Sequence, residues 1–389
     1  NRATIISGAP TASRDMLVST PDRHLVFFGT ETTIGTPSTQ DEMFIRFSNQ
    51  EDINTYQPTA VNTAGTQRLA DGSKIVGAVR GRDAIYVWTD TSLFTMRFIG
   101  QPFTFGFQQV GTNCGLIGQN AALEVDGAAY WFSENGFFKY SGNLETMKCL
   151  VEDFVFNDLN TTANQLINVG LNNLFGEITW FYCTESSTVI NRCVTYNYLD
   201  STPQRPVWTT GTLARGAWQD SSVFGLPHAT SFTADDDASF DVVGNTEGST
   251  IYFEHEKGTD EALANGINVI TSNIESGDFD ITQARSRQGQ MTGVSDFRGD
   301  GEYLMKIRRF VPDFLSQTGN TQITLQLKNY PNSSQASSPL GPFTITSSTD
   351  KVDTRARARA ISLKVANTAV NQSWKLGTFR LDTQPDGRR

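Results

Sequence analysis

The feature that most constrains this chain is a recurring hairpin. Ala84-Ile85-Tyr86-Val87-Trp88 runs through Thr89-Asp90-Thr91-Ser92 into Leu93-Phe94-Thr95-Met96-Arg97-Phe98. Ala128-Ala129-Tyr130-Trp131-Phe132 runs through Ser133-Glu134-Asn135-Gly136 into Phe137-Phe138-Lys139-Tyr140, and Glu177-Ile178-Thr179-Trp180-Phe181-Tyr182 turns back into Val194-Thr195-Tyr196-Asn197-Tyr198. Aromatic and β-branched runs suit a pleated, half-buried surface, and the residues between them are turn formers. Asn135-Gly136 predicts a type I′ turn, with positive φ at both central residues. The units recur roughly every 45 residues, and Trp88, Trp131 and Trp180 each fall near the end of a first run. That period, with several short strands per unit, predicts a β-propeller-like array. Five units fit: 23–48, 74–109, 120–147, 166–209 and 214–256. They share no dipeptide signature, so period and hairpin content carry the expectation and a sandwich stays open. Apolar Val151, Phe154, Val155 and Leu159 predict a short helix between units.

From about residue 266 the texture changes. Long strands are expected at 303–310, 321–328, 354–366 and 373–382, with Ile323, Leu325 and Leu327 on one face by strict alternation. The Ser-, Pro- and Asn-rich stretch from Tyr330 to Gly341 reads as a peripheral loop. The expected fold is therefore all-β. A propeller-like domain spans 1–260, its N-terminal part incomplete, and a C-terminal β-sandwich spans 261–389.

The search for chemistry finds little. Lys and Arg number 31 and Asp and Glu 41, a net charge of −10. That balance argues against a grip on a phosphate backbone and fits an assembly subunit, or a surface that DNA slides past. No apolar run approaches the ~20 residues needed to cross a bilayer, so no membrane insertion is expected. The chain opens on Asn1-Arg2-Ala3-Thr4, with neither an initiator Met nor a signal peptide, as expected of a piece of a longer product or a processed chain. His24, His228 and His255 lack metal-site spacing, and Asp235-Asp236-Asp237 lacks the Gly and Glu of a calcium loop. Cys183 and Cys193 flank a hairpin tip, leaving a cross-strand bridge or two buried thiols open. Arg298-Gly299-Asp300 is a three-letter match of the kind chance supplies. There is no nucleophile elbow and no phosphate-binding Gly loop. The expectation is no catalytic, cofactor or metal residue and no enzyme. A glycosidase, whose carboxylates come from distant strands, is the main enzymatic rival.

One motif stands out: Arg355-Ala356-Arg357-Ala358-Arg359-Ala360. In a strand Arg355, Arg357 and Arg359 would form a row with the alanines opposite. Like charges that close repel. The row is either a solvated edge protected from aggregation, a contact with carboxylates of a neighbouring chain, or the lining of an aqueous channel.

Several strings together carry a resemblance. They are Phe44-Ile45-Arg46-Phe47-Ser48-Asn49-Gln50-Glu51-Asp52, Val87-Trp88-Thr89-Asp90-Thr91-Ser92-Leu93-Phe94, Ala129-Tyr130-Trp131, Asn135-Gly136-Phe137-Phe138 and Leu376-Gly377-Thr378-Phe379-Arg380-Leu381-Asp382, with the closing Pro385-Asp386-Gly387-Arg388-Arg389. In this order they resemble the phage virion structural proteins known as packaged-DNA stabilisation or tail hub (nozzle) proteins of short-tailed phages. The resemblance implies a homohexameric ring with a propeller-like body, located in the virion tail and assembled in the host cytoplasm. It implies as partners the portal–adaptor ring, tail fibre or plug proteins, and DNA in transient passage. It offers no catalytic residues. A receptor- or glycan-binding tail protein is the alternative, and a polysaccharide depolymerase a more distant one.

Overall fold

The computed structural model describes residues 6, 8–19, 22–220, 225–232, 250–263, 266–280, 304–330 and 338–387. The chain divides into two compact units, 1–241 with 245–256 and 242–244 with 257–389.

The first unit is a run of five antiparallel sheets whose strands neighbour one another in chain order. The first sheet holds Asp15–Ser19, His24–Phe28, Phe44–Phe47 and Gly65–Arg68, and the second Ile75–Arg80, Ile85–Thr89, Ser92–Gly100 and Thr104–Thr112. The third holds Ala122–Val125, Ala128–Ser133, Gly136–Tyr140 and Leu144–Met147, and the fourth Asn168–Asn172, Glu177–Tyr182, Arg192–Thr202 and Arg205–Gly211. The fifth has Ala217–Gln219, His228–Phe232 and Thr250–Glu254. First strands of successive sheets lie side by side, and Asn120, just ahead of the third sheet's first strand, bridges Asn168, which opens the fourth sheet's, in parallel. Meander sheets joined through their first strands make a propeller-like array.

The three tryptophans of the recurring hairpins mark the second strands of the second, third and fourth sheets rather than the first strands. The innermost strands, such as Asn168-Val169-Gly170-Leu171-Asn172, are short and weakly apolar, so sequence pattern shows the hairpin outside them more clearly. Trp88, Trp131 and Trp180 are fully buried, and Trp88 meets Trp131 edge-on at 5.4 Å between centroids. Indole N–H groups reach back along the chain. Trp131 donates to the Cys114 carbonyl at 2.8 Å, Trp180 to Ala121 at 2.9 Å, Trp208 to Lys148 at 2.9 Å and Trp218 to Leu171 at 2.8 Å. Each ring therefore ties its sheet to the sheet or connection before it.

The turn at Asn135 differs from expectation. Ser133 pairs with Gly136, so Glu134 and Asn135 form the turn and only Gly136 has positive φ, at +125°. At Gly115 a close approach requires glycine, because a Cβ there would lie 2.0 Å from the Asp90 carbonyl oxygen. The expected helix is Glu152–Asn157, with Val155 and Leu159 buried and Phe154 exposed beneath the Arg192 guanidinium.

The second unit is a β-sandwich. One sheet is Val352–Ala358, Met305–Val311 and Arg380–Pro385 in that order; the other is Asn273–Glu275, Ala360–Ala366, Thr321–Lys328 and Ser338–Ile345. Met305, Ile307 and Phe310 from one share a core with Ile323, Leu325, Ile361 and Val365 from the other. The pairs Asp260–Leu263 with Gly266–Val269, and Phe314–Thr318 with Ser373–Leu376, complete it. Two expectations are corrected here. Residues 338–341, read as loop, open an edge strand, and the strand expected at 354–366 is two strands that break at Arg359 and enter different sheets.

Candidate functional site

The arginine motif lies at that break. Ala356 and Ala358 are buried in the core between the sheets, where small side chains let the sheets converge. Arg355 and Arg357 face outward and are exposed, whereas Arg359 is half-buried at the step and its N–H donates to the Lys328 carbonyl at 3.1 Å. The row of three is therefore a pair plus a corner residue. Changing sheets ends the alternation that would have aligned the third side chain.

Arg357 is held by Asp386, with Nε 2.6 Å from Oδ2 and Nη2 donating to the Asp386 carbonyl at 3.1 Å. Arg309 sits between Asp353 at 3.4 Å and Asp382 at 3.8 Å. Arg355 makes no ion pair among the described residues. Exposed on the same three strands are Lys306, Arg308 and Arg380, and Lys306 stands directly across from Arg357. A bulge between Ile307 and Arg309 gives two adjacent arginines solvent-facing positions. Six cations thus meet three carboxylates on one sheet face.

This face stands out because the chain is acidic. Residues 257–389 carry 17 Lys and Arg against 13 Asp and Glu, a net charge of +4, while residues 1–256 carry 14 against 28, a net of −14. The asymmetry is legible in the sequence, hidden within the whole-chain charge of −10.

Exposed apolar side chains gather elsewhere. In each meander sheet the turns joining strands one to two and three to four open on the same face. Those turns carry Phe98, Ile99 and Phe103 in the second sheet, Leu174, Phe175 and Leu199 in the fourth, and Ile53 and Val61 in the long connection of the first. Exposed apolar residues grouped in this way mark an interaction surface.

The other sequence candidates fall into place individually. All four cysteines are free and buried, and burial pushes the Cys114 and Cys183 thiols up to about 11 and Cys149 up to about 12. Cys193 pairs across the ladder with Phe181, not Cys183. His24 is fully buried beside Thr63, 3.1 Å away. His255 accepts from Arg215 Nε at 2.9 Å, and burial, then the Arg215 charge, lowers its pKa to about 4. No three metal-ligating side chains converge among the described residues. Asp235-Asp236-Asp237 and Arg298-Gly299-Asp300 lie outside the described residues. Sequence reading missed one carboxylate pair. Glu177 is pushed up by burial and by the Glu256 carboxylate, which accepts from Asn172 Nδ2 at 2.9 Å.

No known family matches the chain, and no curated protein matches it. Among solved structures it is similar to an exo-β-1,3-galactanase from Phanerochaete chrysosporium with galactose, at 10% identity over 95% of this chain and 79% of that one, TM-score 0.23. It is also similar to a structure described as a glycoside hydrolase, at 11% identity over 97% and 98% of the two chains, TM-score 0.24. These findings correct one expectation. The solved structures named are hydrolases, and the expectation of no enzyme does not stand against them.

Proposed function

We propose that the chain is a structural subunit of a phage tail nozzle, a ring that extends the DNA-ejection channel below the portal and adaptor and helps retain the packaged genome. The observation that carries this reading is the opposite charge of the two units. The basic sheet face of one copy complements the acidic first unit of the next, and a head-to-tail contact of this kind yields a ring when its rotation closes. The motif resemblance supports the same reading, and a propeller-like body is the body it implies. The apolar hairpin tips offer a surface for the adaptor, and fibre or plug proteins would hold the far end. An acidic lining would let DNA pass without sticking. Mass photometry of the chain, alone and with the portal–adaptor complex, tests this. The expected result is a gain of about six subunit masses on the adaptor; a monomer that ignores adaptor rings overturns it.

One observation favours a second reading, hydrolysis of host-surface polysaccharide. Glu177 is a carboxyl group pushed up by burial and by the neighbouring Glu256 carboxylate, as the acid of a glycosidase requires. Depolymerisation that stops in Glu177→Gln would support it, and intact polymer after incubation with the unaltered chain removes it.

A further inference from the structure

The first sheet turns one face to the second sheet and the other away from it. Val26, Phe28, Ile45 and Phe47 share a core with Ile75, Ile85 and Val87 of the second sheet. On the opposite face the cross-strand pairs Met16 with Phe27 and Val18 with Leu25 bring four apolar side chains together. Met16 and Val18 are exposed. Leu25 and Phe27 are buried, under Tyr56 of the long connection and under a strap, residues 6 and 8–12, that packs Ile6 and Ala9 on them. Gly8 allows the strap its close approach, since a Cβ there would lie 2.7 Å from the Asn54 carbonyl oxygen.

One carboxylate holds the strap. Glu31 is fully buried; its Oε1 accepts from the Thr11 N–H at 3.0 Å and from the Thr11 hydroxyl, and its Oε2 accepts from the Gly35 N–H at 2.7 Å. The Thr30 hydroxyl adds a bond to the Ala12 carbonyl at 2.8 Å. An ionised carboxylate only accepts, whereas a protonated one turns an oxygen into a donor, here against donors. Burial works to raise the Glu31 pKa, but the bonds from Thr11 and Gly35 outweigh it and hold the carboxyl below its ordinary 4.5. Their contribution is therefore complete above that value and is lost as pH falls through the lowered one. The charge facing Glu31 from the third strand is Arg46, 2% exposed, which donates to the Glu31 and Thr32 carbonyls at 3.3 and 2.8 Å. The long connection brings Tyr56, whose hydroxyl burial pushes up to about 12, and Asp52, whose carboxylate is engaged by the Asn54 N–H of its own loop. Residues 6–12 carry no ionisable side chain.

We infer that Glu31 is an acid-released latch: ionised, it holds the strap on the first sheet; protonated, it frees the strap and extends the exposed patch of Met16 and Val18 onto Leu25 and Phe27. The inference goes beyond the ring reading and does not rest on it. Hydrogen exchange of the full chain, read by mass spectrometry, tests it, with Glu31→Gln as the mimic of the protonated form. At neutral pH residues 8–12 of the variant are expected to exchange at least about tenfold faster than in the unaltered chain, while His24–Phe28 keeps its protection. In the unaltered chain, acid should release the strap before that strand opens, once intrinsic exchange rates are allowed for. Glu31 lies beside buried Arg46, so should Glu31→Gln fail to fold, Thr11→Val, at an exposed position, must speed exchange of the strap instead. A strap that keeps its protection in the folded variant or in acid, or that opens only together with His24–Phe28, overturns the inference.

Discussion

Arg357 already has a counter-charge within its own chain, at Asp386, whereas Arg355 has none among the described residues. The two therefore separate assembly from stability. Arg355→Glu is expected to abolish ring formation with an unchanged unfolding midpoint, because an exposed, unpaired side chain contributes little to the fold. Arg357→Glu should do the same and also lower stability by up to about 1 kcal/mol, the range of an exposed pair. Ring assembly untouched by both would make this an ordinary solvated face. His255 sets a pH dependence. Its folded pKa, about 4, lies below the ordinary 6.5, so the unfolded chain takes up the proton first. Its contribution is complete above pH 6.5 and is lost as pH falls toward 4. Allowing for partial exposure, that loss is about 2 kcal/mol. Thermal unfolding across this window should show it, and His255→Asn should flatten the slope.

Among the elements, the second strands hold the array together. Trp131 and Trp180 each bury a large ring and spend the indole N–H on a carbonyl earlier in the chain, so packing and sheet order depend on the same residue. Trp131→Phe keeps most of the ring but leaves the Cys114 carbonyl unpaired, and should destabilise by about 1–3 kcal/mol in denaturant unfolding. Trp88 is the internal comparison. Its Nε1 has no hydrogen-bond partner among the described residues, so Trp88→Phe loses ring area alone and should have the smaller effect. Equal losses would mean that the indole hydrogen bonds contribute nothing to joining the sheets.

For the molecule as a whole, the two candidate surfaces respond differently to salt. A ring built on the basic sheet face and the acidic first unit should weaken steeply as salt rises, because the screening length is already only about 8 Å at physiological ionic strength. A ring built on the apolar tips around Phe103 and Leu174 would hold or tighten. Sedimentation across a salt series distinguishes the two.

Much of the fold was readable because its signals are local. Alternation at Ile323, Leu325 and Leu327, hairpins ending in Trp88, Trp131 and Trp180, and the stripe at Val155 and Leu159 depend on near neighbours along the chain. The innermost strands were harder to see. Asn168–Asn172 is fixed less by its own weak pattern than by pairing with Glu177–Tyr182 and adjoining the next sheet. The surfaces depend still more on tertiary structure. Sequence alone determined an all-β chain whose charge divides near residue 257, with arginines alternating beyond residue 354. Tertiary structure alone decided that the alternation breaks at Arg359, that Arg309 and Asp382 share a sheet face, and that Thr11 reaches Glu31. Those residues are far apart in sequence, and no local pattern encodes which distant backbones a strand will pair with.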